Sequence, residues 1–501
     1  MREEQTASDE RLREEQMAMG LTSKPSVAII GAGAGGIAMG LQLADGGYDF
    51  TIFDRADGFG GTWRHNTFPG AACDVPSHLY SYSFALNPRW SKTYANQPEI
   101  LEYFETVAVK GGLDRCLRAN TRIDAMRWSD RDRRWTLTTG DGVDCDFDAV
   151  VSAVGMLDVP NIPAIPGAEA FRGRAFHSSR WDHTKSTAGE RVASIGTGAS
   201  AIQYVPAIAP DTALLTVFQR TPIWVSPRFD FPYTAEQHEL FQRDPGEAQK
   251  IRDEAFDAYE SSSFDVAADQ TREATELAYS YLMRKVADPE LRAKLLPDYP
   301  LGCKRPLMSR EWFPTFALPH VRLVTSPIIR FTEHGLLTAD ATEHRVDTVI
   351  YGTGFTASDY LSSLDVYGTG GRRLHDEWRD GAEAYLGTLV AGYPNLFILY
   401  GPNTNGVNSI LYIHEVQTAL VRRLLDVMGQ RGANTIEVKR EVQDAYNAEV
   451  QAAMIGKVWL ANCTNYFRHP SGKVVTQLPF SGKTFAERTR DVKLEDYRLR
   501  R

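Results

Sequence analysis

Apolar residues in this chain gather into short runs that stop at clusters of glycine. Ser26 to Ile30 is one such run, and it ends at Gly31-Ala32-Gly33-Ala34-Gly35-Gly36. Beyond it Ile37, Ala38, Leu41, Leu43 and Ala44 recur at helical spacing until Gly46-Gly47, and a second run, Phe50 to Phe53, ends at Asp54. Strand, tight turn, helix and strand within about 30 residues predict a βαβ unit. The same order returns about 165 residues later: Arg191 to Ile195, then Gly196-Thr197-Gly198-Ala199-Ser200-Ala201, a helical start over Ile202 to Ile208, and a strand over Leu214 to Gln219. From Thr234 to Lys294 the pattern turns charged, alanine-rich and amphipathic, which predicts helices. Strands resume at Val321 to Val324, Val346 to Tyr351 and Leu396 to Tyr400.

Two βαβ units imply an α/β protein with two dinucleotide-binding domains and a helical insertion. The pattern divides the chain into an N-terminal extension over 1–24, a first nucleotide domain from 25–155 and 356–501, a second from 156–230 and 301–355, and the insertion over 231–300. A length of 501 residues agrees with several domains.

Composition narrows the function by exclusion. With 55 basic and 64 acidic residues the net charge is −9, which argues against a nucleic-acid-coating surface. The five cysteines, Cys73, Cys116, Cys145, Cys303 and Cys463, include no C-x-x-C pair, so neither a zinc site nor a dithiol centre is expected. Few scattered thiols, no apolar leader and no run of about 18 apolar residues suggest a cytoplasmic protein without a membrane partner.

The glycine clusters carry the first chemistry. Gly31, Gly33 and Gly36 fit G-x-G-x-x-G: one glycine for the turn, one for approach of a pyrophosphate, one for packing of helix on strand. Phosphates then meet the free N–H groups at the helix N-terminus. Asp54, at the end of the next strand, suits a ribose 2′-OH and repels a 2′-phosphate, so FAD or NAD is expected there. The second cluster, Gly196, Gly198 and Ala201, is followed by no acid. Its second strand ends at Arg220 and Thr221, donors that suit the 2′-phosphate of NADP.

Between the two sites, Phe171, Gly173, His177, Trp181 and Asp182 match F-x-G-x-x-x-H-x-x-x-W-(P/D) at every defined position. On this segment the chain resembles the type I Baeyer–Villiger monooxygenases. The likeness extends over about residues 25 to 495: Gly60-Gly61-Thr62-Trp63, Pro69 to Asp74, Gly302-Cys303-Lys304-Arg305-Pro306, Tyr351 to Phe355 and Leu399 to Asn405.

The resemblance implies an FAD enzyme that uses NADPH and O₂ to insert oxygen next to a ketone carbonyl through a C4a-peroxyflavin. It implies FAD contacts at Gly31, Gly33, Gly36, Asp54, Thr62, Trp63, Asp74, Tyr80, Ile123 and Ile410. For NADPH it implies Thr197, Gly198, Ala199, Ser200, Gln203, Arg220, Thr221 and Lys304. Arg305 becomes the catalytic cation, permanently charged, and Asp74 the carboxylate that orients it. His177 and Trp181 are expected in a linker that couples domain motion to cofactor position, away from substrate. The residues themselves leave two alternatives open, a heteroatom (N or S) monooxygenase and an NADPH oxidase-type flavoprotein. Asn465 stands where many relatives carry an indole, and neither the ketone nor the oligomeric state is legible.

Overall fold

The computed structural model describes residues 24–261, 264–406 and 408–501, so the expected extension over 1–24 lies, Lys24 apart, outside the described residues. Its framework is two five-stranded sheets in which every neighbouring pair is parallel. The first runs Leu396–Ile398, Ala149–Ser152, Val27–Ile30, Phe50–Phe53, Leu117–Arg118. The second runs Val321–Val324, Leu214–Phe218, Arg191–Ile195, Thr348–Tyr351, Arg174–His177.

The central strands, such as Val27–Ile30, Ala149–Ser152 and Leu214–Phe218, are largely apolar runs because both faces of each sheet are covered there. Val27 and Ile29 face a core that includes the helix Ala34–Asp45 and the long helix Ile410–Arg431, whereas Ala28 and Ile30 face a second core with Phe53 and Ile123. In the second sheet, Val192 and Ala193 divide in the same way.

Both glycine loops sit where strand order reverses, the usual ligand position in open α/β sheets. Gly31 leaves its strand at φ 111°, and a Cβ there would lie 2.5 Å from the carbonyl oxygen of Ala153, just past the neighbouring strand. Gly196 repeats this at φ 105°, with its Cβ position 2.4 Å from the Gly352 carbonyl oxygen.

The insertion is helical as expected, with helices Ala235–Arg243, Pro245–Glu260, Asp269–Lys285 and Pro289–Leu295. Thr234 and Gln237 form a reciprocal capping box at its start. The group packs against both sheets' surroundings: Phe241 on His78, Phe256 on Tyr412, Tyr281 on Phe313. A four-stranded sheet over Asp365–Tyr367, Ile123–Ser129, Arg134–Thr139 and Asp144–Phe147 packs into the core shared with Ala28, Ile30 and Phe53.

Two expectations need correction. The segment read as an interdomain linker is built into the second sheet: Arg174–His177 is its edge strand, paired with Thr348–Tyr351. The cysteines are not all scattered thiols either. Cys303 and Cys463, 160 residues apart, form a disulfide, leaving Cys73, Cys116 and Cys145 free. Sequence spacing did not show the pair because tertiary folding alone brings the two together. Among the described residues, no helix is long and apolar enough to cross a membrane.

Candidate active site

The first glycine loop is held by backbone contact that no larger residue would permit. A Cβ on Gly36 would lie 1.8 Å from the Gly31 carbonyl oxygen, and one on Gly61 would lie 2.7 Å from Gly33 Cα. The helix Ala34–Asp45 begins at Gly33 with no side chain capping it and no acid in its first turn, so its first N–H groups are free for an anion. That arrangement fits a dinucleotide pyrophosphate. Asp54 also shapes the loop: its carboxylate accepts from the amides of Ala32 (2.6 Å) and Ala56 (2.7 Å).

Of the other residues expected near FAD, Thr62 and Trp63 directly follow Gly61, which packs on Gly33 of this loop. Thr62 opens the single helical turn Thr62–His65, and the Trp63 indole donates to the Tyr80 hydroxyl at 2.8 Å. Ile123 lies in the core behind the first sheet, and Ile410 begins the helix capped by Ser409. Sequence reasoning missed His414, whose ring Cε1 lies 2.9 Å from where a Gly35 Cβ would be. Burial lowers its pKa to about 4, so the imidazole is neutral.

At the second loop, a Cβ on Gly198 would meet none of the described residues within 4 Å, which leaves the room a phosphate needs beside the uncapped helix Ala201–Ile208. Ala199 and Ser200 complete the turn, and the Thr197 hydroxyl donates to the Thr221 carbonyl at 3.3 Å. Lys304 lies with its ammonium 5.0 Å from the Tyr299 ring centre. Burial lowers its pKa and the nearby charge of Arg220 lowers it further, with Asp298 opposing. Two cations that repel each other fit a dianionic group between them, as the 2′-phosphate of NADP would be. Gln203 spends its amide differently from expectation. It accepts from the Ala72 amide (3.2 Å) and donates to the Ala72 carbonyl (3.1 Å).

Two residues beyond Ala72 stands Asp74, and there the segments converge. Arg305 donates to one oxygen of Asp74 through Nε (3.0 Å) and Nη2 (2.6 Å). The Asp74 charge raises the pKa of Arg305 further above its ordinary value, with burial opposing, so the guanidinium stays protonated. The backbone that carries this carboxylate is anchored in turn: Tyr259 donates to the Asp74 carbonyl (3.4 Å) and Arg228 to the Cys73 carbonyl (2.8 Å). Tyr400, just after the strand Leu396–Ile398, and Tyr466, from the C-terminal loop, also surround Arg305. A permanent cation thus meets a carboxylate 231 residues away in sequence and two phenols from later segments of the chain.

The fingerprint residues form a packed support apart from this centre. Gly173 has no room for a side chain, since a Cβ would lie 2.3 Å from the Phe171 ring and 2.4 Å from the Asp347 carbonyl oxygen. His177 is buried, its Nδ1 2.8 Å from the Ser179 hydroxyl and its ring against Phe355. Burial lowers its pKa. Trp181 packs on Phe176 and Tyr204, and Asp182 pairs with Arg174 at 3.0 Å.

Known proteins resemble this chain in sequence and in fold. A Baeyer–Villiger monooxygenase of Pseudomonas aeruginosa is 41% identical over 479 residues, covering 94% of this chain and 91% of the relative. The chain belongs to the Baeyer–Villiger monooxygenase family. A second family member, from Streptomyces coelicolor, is 40% identical over 483 residues, covering 95% of this chain and 92% of its own. The flavin-binding monooxygenase-like family model matches residues 24–237. The crystal structure of OTEMO in complex with FAD and NADP superposes with a TM-score of 0.87 at 27% identity, covering 95% of this chain and 100% of that one. The two-sheet architecture is therefore that of the family.

Sequence reasoning found Arg305 and Asp74 but not what holds them. Arg228 and Tyr259 lie in segments with no glycine punctuation or motif, and Tyr466 follows Asn465 in the loop that departs from the family's pattern; only their tertiary position shows their part.

Proposed function

We propose that this chain is an FAD-dependent monooxygenase that uses NADPH and O₂ to insert one oxygen atom beside a ketone carbonyl, giving an ester or a lactone. Family membership and the cofactors in the OTEMO structure support the reaction class. The observation that carries it is the Arg305–Asp74 pair. Bound FAD, reduced by NADPH, supplies the electrons that make O₂ an oxygen donor.

The chain's own residues do the rest. Gly31, Gly33, Gly36, Asp54, Thr62, Trp63, Tyr80, Ile123 and Ile410 hold the flavin nucleotide, and Thr197, Gly198, Ala199, Ser200, Thr221, Arg220 and Lys304 hold NADPH. Gln203 joins the two parts through Ala72. Arg305 keeps a positive charge where the ketone oxygen turns anionic as its carbon becomes tetrahedral. Such a donor typically contributes about 10²–10³ in rate. Asp74 fixes the guanidinium's direction. A cytoplasmic location, where NADPH is maintained, completes the reading.

The test is a panel of aliphatic, cyclic and aryl ketones, with sulfides beside them. NADPH consumption is followed together with product mass. Ketone products heavier by one oxygen atom support the reading; oxidation of sulfides or amines alone would overturn it.

A further inference from the structure

Cys303 directly precedes Lys304 and Arg305, and Cys463 stands three residues before Tyr466, whose hydroxyl meets Arg305. The disulfide between them therefore ties the Lys304–Arg305 segment to the C-terminal loop at the centre of the site. Beside it, Tyr466 meets Arg305, and a Cβ on Gly302 would lie 2.9 Å from Val458 Cγ2. The Asn465 amide nitrogen lies 3.9 Å from Cys303 Sγ and 3.6 Å from Cys463 Sγ, and Cys303 Sγ lies 3.7 Å from the Ala461 carbonyl oxygen. These contacts converge on the two sulfurs. Trp459 and Phe467 are buried on either side, whereas Leu460 and Tyr466 are exposed. The stretch between those anchors is what the disulfide restrains.

The sulfurs also differ in access. Cys303 is fully buried beside Trp224, Ala278, Tyr299 and Leu301, and Cys463 is half-buried between the exposed Asn462 and Thr464. In a compartment where glutathione keeps thiols reduced, disulfides are usually transient and redox-sensing.

We propose that Cys303 and Cys463 are a reversible thiol–disulfide switch that takes a small-molecule disulfide such as glutathione disulfide and thereby fixes or frees residues 460–466 beside Arg305. The Cys463 thiolate attacks one sulfur of glutathione disulfide and expels one glutathione. The Cys303 thiolate then attacks Cys463 Sγ, forms the internal bond and expels the second. Two protein thiols are oxidised, one glutathione disulfide is reduced to two thiols, and the protons go to the leaving thiolates. Reduction runs the same steps backwards. The consequence for catalysis rests on the role given to Arg305 above; the loop's release does not.

The test uses the full-length holoenzyme poised in glutathione buffers across the cytoplasmic range. Alkylatable thiols are counted by mass, cleavage within 460–466 is timed under light proteolysis, and peroxide released per NADPH is measured. Reduction should expose two further thiols, speed cleavage on the order of tenfold, and divert more NADPH to peroxide. A C303S/C463S variant should behave as the reduced form at every potential, and C303S alone should carry one glutathione on Cys463. If the double variant does not fold, chemical reduction of the parent gives the same comparison. The switch is overturned if the pair never changes state across these buffers, or if opening it leaves cleavage unchanged. Should cleavage respond while no ketone is oxidised in either state, the switch stands and the ketone reading falls.

Discussion

The side-chain amide of Gln203 pairs with both the N–H and the carbonyl of Ala72, like one rung of a sheet between the second glycine loop's helix and the stretch that leads to Asp74. Gln203 lies in the helix that follows the second loop, and Ala72 lies two residues before Asp74. A Cβ on Gly70 would lie 2.9 Å from the Gln203 carbonyl oxygen, so the two backbones already touch nearby. Replacing Gln203 with Ala deletes both bonds at a cost of about 1–3 kcal/mol. Because Asp74 then loses part of its footing, kcat for ketone oxidation should fall more than KM for NADPH rises. Steady-state kinetics separates the two; a change confined to KM would make Gln203 a cofactor contact instead.

Lys304 and Arg220 press on each other electrostatically, which an anion between them would relieve. Charge-assisted hydrogen bonds contribute about 1.5–3 kcal/mol. Arg220→Ala or Lys304→Ala should therefore raise KM for NADPH by roughly 10- to 100-fold, with little change for NADH, which lacks the 2′-phosphate. Parallel titration with both nucleotides checks it, and equal losses for the two would contradict it.

Gly36→Ala tests the first loop. Its Cβ would stand 1.8 Å from the Gly31 carbonyl oxygen, so the turn must open. Purified G36A should lack the yellow colour of bound flavin, or fail to fold, whereas Gly198→Ala, with none of the described residues within 4 Å of its Cβ, should retain flavin. Absorbance at purification reads this.

His78 gives a pH dependence unrelated to catalysis. It is fully buried against Tyr233 and Phe241, neither ring nitrogen has a hydrogen-bond partner among the described residues, and burial lowers its pKa to about 4. An unfolded histidine titrates near 6.5. Between these values the unfolded chain binds a proton that the folded one refuses. Stability from this residue is therefore complete above about pH 6.5, falls as pH drops toward 4, and changes no further below. At pH 5 the loss is about 2 kcal/mol. Denaturation of the parent and a His78→Phe variant at pH 7 and pH 5 should show the variant losing less between the two.

The two parallel sheets were legible because a strand covered on both faces reads as a plain apolar run, and each switch-point loop announces itself in glycine. Val27–Ile30 and Arg191–Ile195 follow that rule. The antiparallel strands Ile123–Ser129 and Arg134–Thr139 do not. Their alternation sets Trp135 and Leu137 inward between more polar residues, and a register shift between Ile123 and Ala125 interrupts the ladder. Strand Arg174–His177 escaped notice because it is short and partly exposed at a sheet edge. Arg305 and Asp74 were legible through motif resemblance, 231 residues apart. Nothing local could show that Cys303 bonds to Cys463 or that Tyr466 and Arg228 attend the pair, since each depends on a tertiary approach.

The central claim is that Arg305, oriented by Asp74, is the charge on which ketone oxidation depends. Its most direct test compares parent and Arg305→Ala, both loaded with FAD, for ester or lactone formed per NADPH consumed. R305A is expected to oxidise NADPH still but to form product about 10²–10³ times more slowly. Undiminished ester formation by R305A would contradict it.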